Sequence, residues 1–272
     1  MKKILIAPLL VVLVYSTGCV SRSKQGKAAE SKPAEKSAEA GPHEALAQAT
    51  TAHEVAVSGA APMIQTTTTV SVKKLDGVDP EVALRWLKNG NKRFVKGWLR
   101  NDGQSKADVE RLSTGQKPHS IILACSDSRV PPEIVFDQKL GEVFVVRTAG
   151  EVLDPGSIAS IEYAVEHLGT RNIVVMGHSN CGAVKAAMST FDGKDAGSEN
   201  LNKLVDDIHP RISTFKGQLP SKDYVDEGWA NVSGVVADLQ KRSKILSGRV
   251  SDGDIQITGS LYHLDNGTVE FK

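Results

Sequence analysis

Residues 142–177 read EVFVVRTAGEVLDPGSIASIEYAVEHLGTRNIVVMG. Two short apolar runs rich in β-branched residues, Glu142 to Arg147 and Arg171 to Gly177, flank a segment from Pro155 to Leu168. In that segment Ile158, Ile161, Val165 and Leu168 share one helical face, and Gly169 closes it. Strand, helix, strand is the unit that links parallel neighbours in a sheet. Runs this uniformly apolar are expected to be buried strands.

Upstream, His119-Ser-Ile-Ile-Leu-Ala-Cys125 reads as a third buried strand. Before it, Asp79 and Pro80 supply an N-cap and a first-turn proline for a helix through Val82, Trp86, Leu87 and Phe94 to Gly97. Downstream, a helix is expected to start at Cys181-Gly182. Another should run from Val232 to Leu246, with Val232, Val235, Val236, Leu239 and Leu246 on one stripe. Asp254 to Lys272 reads as two strands around Asn266-Gly267, an antiparallel edge, and residues 191–228 as a helical insertion of undefined shape. The fold class is α/β: a mainly parallel sheet flanked by helices, with an antiparallel C-terminal edge.

The rest of the chain is of a different kind. Lys2 and Lys3 precede an apolar run from Ile4 to Tyr15 that contains Pro8 and falls short of the roughly 18 residues a spanning helix needs. Ser16-Thr17-Gly18-Cys19 resembles a bacterial lipoprotein cleavage site, with Ser16 where an aliphatic residue is usual. Lipidation of Cys19 is the expected outcome; an ordinary cleaved signal and an uncleaved anchor are the other readings. From Val20 to Lys74 there is no aromatic residue, and Ala, Glu, Lys, Ser and Thr dominate, so this stretch cannot bury enough apolar surface to offset its ordering entropy. The expected organisation is a signal peptide at 1–18, a flexible tether at 19–74 and a catalytic domain at 75–272. The protein should then be exported to the periplasm and held on a membrane by its lipid.

Thirty-three Lys and Arg against 32 Asp and Glu leave a net charge of +1, which disfavours nucleic acid as a partner. Three cysteines, Cys19, Cys125 and Cys181, are too few for a disulfide framework.

In open α/β sheets, ligand sites gather beyond the carboxyl ends of the strands. Two such ends deliver Cys125-Ser126-Asp127-Ser128-Arg129 and His178-Ser179-Asn180-Cys181-Gly182. Cys125, His178 and Cys181 together suit Zn²⁺ in its catalytic form, three protein ligands and an open fourth position, with Asp127 as fourth ligand or gatekeeper. Taken singly, each has a plainer reading. Cys125 would be an inert core thiol, His178 a hydrogen-bonded strand end, Cys181 a reactive helix-terminal thiol, and Asp127 with Arg129 a surface ion pair. Their convergence favours the metal.

Cys125-Ser-Asp127-Ser-Arg129-Val followed by His178-Ser-Asn-Cys181-Gly resembles the β-class carbonic anhydrases, and the likeness extends over roughly residues 80 to 272. The resemblance implies that Cys125, His178 and Cys181 bind one zinc ion per chain and that Asp127 and Arg129 form the catalytic dyad. It also implies reversible hydration of carbon dioxide to bicarbonate by a hydroxide on zinc, in a homodimer or homotetramer with active sites near subunit interfaces.

Two thiolates cancel the charge of Zn²⁺, so its water should be less acidified than in a three-histidine site, where the pKa is about 7. Hydration should therefore be favoured at alkaline pH. Asp127 has two positions: on the metal, which closes the site, or on the planar fork of Arg129, which opens it. Backbone N–H groups near Gly182 are candidates for stabilising the bicarbonate oxygens. His119 and His263 are candidate proton shuttles as histidines, although structural or exposed roles are favoured. The competing functions are a zinc hydrolase of CS₂ or COS and a non-catalytic surface lipoprotein on the same fold. A thiol-redox role is disfavoured because there is no Cys-x-x-Cys.

Overall fold

The computed structural model describes residues 74–272; the expected signal peptide, Cys19 and all of the tether except Lys74 lie outside the described residues. The elements in chain order are α1 (Pro80–Lys96), α2 (Lys106–Leu112), β1 (Ser120–Ala124), α3 (Pro132–Val135), β2 (Val143–Arg147), α4 (Pro155–Glu166) and β3 (Asn172–His178). There follow α5 (Gly182–Ser189), α6 (Glu199–Ile208), α7 (Val225–Arg242), α8 (Lys244–Ser251), β4 (Gln256–Tyr262) and β5 (Val269–Phe271). Among the described residues no helix is long and apolar enough to cross a membrane.

The five strands lie in the order β2-β1-β3-β4-β5. The first four are parallel, and β5 returns antiparallel to β4, as the turn at Asn266-Gly267 predicts. Successive side chains on a strand point to opposite faces. Ile121, Leu123, Ile173 and Val175 therefore pack with Ile161 and Val165 of α4 and Val232, Val235 and Leu239 of α7. Ile122, Ala124, Val174 and Met176 join Leu84 and Leu87 of α1 and Phe136 on the other face. Gly177 is needed where β3 meets α7, since a Cβ there would lie 2.5 Å from Val232 Cγ2.

The helix ends follow local chemistry. Asp79 accepts from the backbone of Glu81 and Val82, and Gly97 ends α1 in the left-handed region. Asp154 and Ser157 form a reciprocal capping box at the start of α4.

Two expectations need correction. The helix expected from Val232 to Leu246 is two helices: α7 begins at Val225, and Ser243, in extended conformation, ends it and caps α8 by accepting from Leu246 N. The run at Glu142 to Arg147 was expected to be buried, but β2 is the sheet's edge and is half-buried over most of its length. The undefined insertion resolves into α6, short 3₁₀ turns and the first residues of α7.

Candidate metal centre

Parallel register does the assembling. Ala124 at the end of β1 sits opposite Met176, so the next residue, Cys125, emerges beside the end of β3, where His178 lies. Cys181 follows as the N-cap residue of α5. The three ligand atoms of Cys125, His178 and Cys181 lie within 4.8 Å of one another and all three residues are buried. A common centre is then within about 2.8 Å of each, close to zinc–ligand bonding range.

Two further observations test the fit. The sulfurs of Cys125 and Cys181 are 4.0 Å apart, against about 3.8 Å for two thiolates on a tetrahedral zinc. His178 Nδ1 is 2.9 Å from the carbonyl of Ser179, which can only accept, so Nδ1 carries the proton and Nε2 presents its lone pair. That Nε2 is buried and has no hydrogen-bond partner among the described residues. Two sulfurs and an orphaned ring nitrogen suit zinc.

The loops are held from several sides. Arg147, at the end of β2, donates from Nε to the Cys125 carbonyl (2.9 Å) and from Nη2 to the Asp127 carbonyl (2.6 Å). Ser179 donates its N–H to Tyr262 of β4, and Asn180, at φ 57°, donates its N–H to Asp223. The Gly150 N–H points at Cys125 Sγ, 3.4 Å away.

Asp127 is in the open position. Its Oδ1 accepts from Arg129 N (3.0 Å) and Nε (2.9 Å), and its Oδ2 from Arg129 Nη2 (2.7 Å). The same Oδ2 is 3.9 Å from His178 Nε2, so the carboxylate borders the metal position without entering it. The Arg129 guanidinium holds the Asp127 carboxyl well below the usual carboxylate range. Hydrogen bonding from Cys181, supported by the Gly150 N–H, lowers the Cys125 thiol against the opposing effect of burial. The same sharing with Cys125, together with burial, raises the Cys181 thiol.

The other candidates separate. Gly182 opens α5, and a Cβ there would meet nothing within 4 Å. His119 is buried between Ser120 Oγ and Gln138 Oε1, and His263 pairs with Glu270; neither joins the cluster. Sequence reasoning missed Arg147, Glu151 and Asn231. Glu151 is wholly buried, and burial and the charge of Cys125 push its carboxyl well above the ordinary range. Only a charged residue inside an otherwise apolar stretch hinted at it.

The profile of a family described as carbonic anhydrase matches residues 120–269. Carbonic anhydrase 2 of Mycobacterium tuberculosis is 41% identical over 194 residues, covering 71% of this chain and 93% of the relative. The carbonic anhydrase of Mycolicibacterium smegmatis is 41% identical over 195 residues, covering 71% and 94%. Among solved structures, the β-carbonic anhydrase CcaA aligns with a TM-score of 0.54 at 26% identity, covering 70% of this chain and 87% of that one. A Coccomyxa β-carbonic anhydrase in complex with acetazolamide aligns at 0.53 and 27% identity, covering 59% and 74%. Since the matched span carries the sheet, the Cys–His–Cys cluster and the aspartate–arginine pair together, this enzyme belongs to the carbonic anhydrase family, in its β class.

Proposed function

We propose that Cys125, His178 and Cys181 hold one zinc ion and that the enzyme uses it for the reversible hydration of carbon dioxide to bicarbonate and a proton. The observation that carries this reading is the buried, unpartnered Nε2 of His178 facing two sulfurs 4.0 Å apart, with Asp127 drawn aside onto Arg129. When bound, zinc acidifies a water and presents the resulting nucleophile to the carbon of CO₂.

The chain's own residues do the rest. Arg129 keeps Asp127 ionised and off the metal position, leaving a carboxylate oxygen to accept a hydrogen bond from the attacking water and aim its lone pair. The first N–H groups of α5, from Gly182 onward, supply donors for bicarbonate oxygens. Thiolate donation makes turnover fall as pH drops through neutrality.

Zinc quantification with stopped-flow CO₂ hydration on the same purified protein tests the reading. About one zinc per chain with turnover rising toward alkaline pH is expected; zinc without turnover would leave a binding module instead, and absence of zinc would end the proposal.

Export and lipid anchoring through Cys19 complete this reading, supported by Lys2, Lys3, the apolar run and the small residues before the cysteine. Assembly into a dimer or tetramer is supported by the apolar edge of β2, which is unpaired among the described residues. Beside it, Leu99, Ile134, Leu140 and Val143 line an open cavity of about 650 Å³.

A further inference from the structure

Asn231 lies in α7 with no exposed surface. Its Nδ2 donates to the carbonyl of Gly150 (2.9 Å) and to Glu151 Oε2 (3.1 Å), while its Oδ1 accepts from Arg211 Nη1 (3.4 Å). Arg211 is itself fastened to Asp207 (2.7 Å) and Asp238 (2.9 Å). The amide is thus fixed at both ends.

What it grips is an unusual turn. Gly150 and Glu151 are both left-handed, at φ 64° and 55°. Glycine adopts this region freely, but glutamate there is strained and persists only where the surroundings impose it. A Cβ on Gly150 would also lie 2.7 Å from Ala183 Cβ. The result of the turn is that the Gly150 N–H faces Cys125 Sγ at 3.4 Å while its carbonyl faces Asn231.

We infer that Asn231 is a positioning residue for the metal centre. By holding the Gly150 carbonyl it aims the Gly150 N–H at Cys125 Sγ, and so sets how much charge that sulfur gives to a bound ion. The inference rests on the zinc reading above. A hydrogen bond donated to a thiolate draws electron density away from the metal, and partners of this outer kind typically change metal affinity or activity by about 10- to 100-fold. Neither sequence neighbour of Cys125 can supply this, because the donor comes from a loop 25 residues away and its support from a helix 81 residues further on.

The test compares the full chain with Asn231→Ala, Asn231→Ser and Asn91→Ala, each loaded with zinc or cobalt(II). Asn91 is a second buried amide, hydrogen-bonded to Val135, Gly267 and Val269 and to none of the three cluster residues, so it controls for loss of a buried hydrogen-bonding side chain as such. In the Asn231 variants the sulfur-to-cobalt charge-transfer band should move to longer wavelength, because the sulfur gives more charge, and zinc should pass to a chelator about 10- to 100-fold faster, because the sulfur is no longer held in place. Asn91→Ala should lower the melting temperature and leave band and release rate unchanged. If Asn231→Ala does not fold, Asn231→Ser, which keeps a small polar group in the site, carries the same readouts. Asn231 variants whose band and release match the unmodified chain overturn the inference, as does an Asn91→Ala protein that shifts them equally. An unmodified chain that takes up neither metal overturns the zinc reading, and this inference with it.

Discussion

Arg129 meets the Asp127 carboxylate with its backbone N–H, Nε and Nη2, yet its own side chain is half exposed. Its value lies in geometry, since an exposed ion pair contributes little to stability. Arg129→Ala should keep its zinc by metal analysis and unfold at nearly the same temperature, while kcat falls by about 100-fold, the cost of losing a fixed orientation. Full turnover in that variant would remove Asp127 and Arg129 from the mechanism. Glu151 makes a different prediction. Its folded pKa is raised by burial above the ordinary 4.5, so the native state holds a proton that the unfolded chain releases. Its contribution to stability is complete below that value and declines as pH rises toward the folded one. Urea midpoints of Glu151→Gln should therefore decline less between about pH 5 and 8 than those of the unmodified chain; parallel profiles would show an ionised Glu151. Cys125, His178, Cys181, Asp127 and Arg129 were legible because their chemistry sits in two short motifs at strand ends. Glu151 and Asn231 were not, because their importance comes from burial against each other across 80 residues.

The clearest difference at the level of elements is the break at Ser243. Leu246 falls seven residues after Leu239, in phase with one continuous helix, so the apolar stripe carries no sign of the interruption. Ser243 makes the break by capping: its Oγ accepts from Leu246 N (3.1 Å) and donates to Glu162 Oε1 (2.5 Å). Ser243→Ala should cost about 1–2 kcal/mol in urea unfolding, with zinc content intact. No change in stability would mean that the break is set by the sheet below it. The edge status of β2 was equally hidden, for an apolar run reads alike in the middle of a sheet and at its rim.

The β2 edge, unpaired among the described residues, and the exposed Ile134 and Leu140 beside it predict that the purified protein elutes as a dimer or larger. Leu140→Glu should shift it toward monomer in light scattering; a protein already monomeric at micromolar concentration would contradict the expectation. Cys19→Ser should move the enzyme from the membrane fraction to the soluble one, and retention on the membrane would count against the lipid. By itself the sequence determined the strand and helix periods, the capped helix ends, the antiparallel return at the C-terminus and the identity of the side chains that gather in the Cys–His–Cys cluster. All of these depend on residues within a few positions of one another. Only the tertiary structure decided that Asp127 rests on Arg129, that Asn231 reaches behind Gly150, and that β2 ends the strand order of the sheet. Each of those depends on which distant segments pack together and how much water they exclude, and local pattern does not encode it.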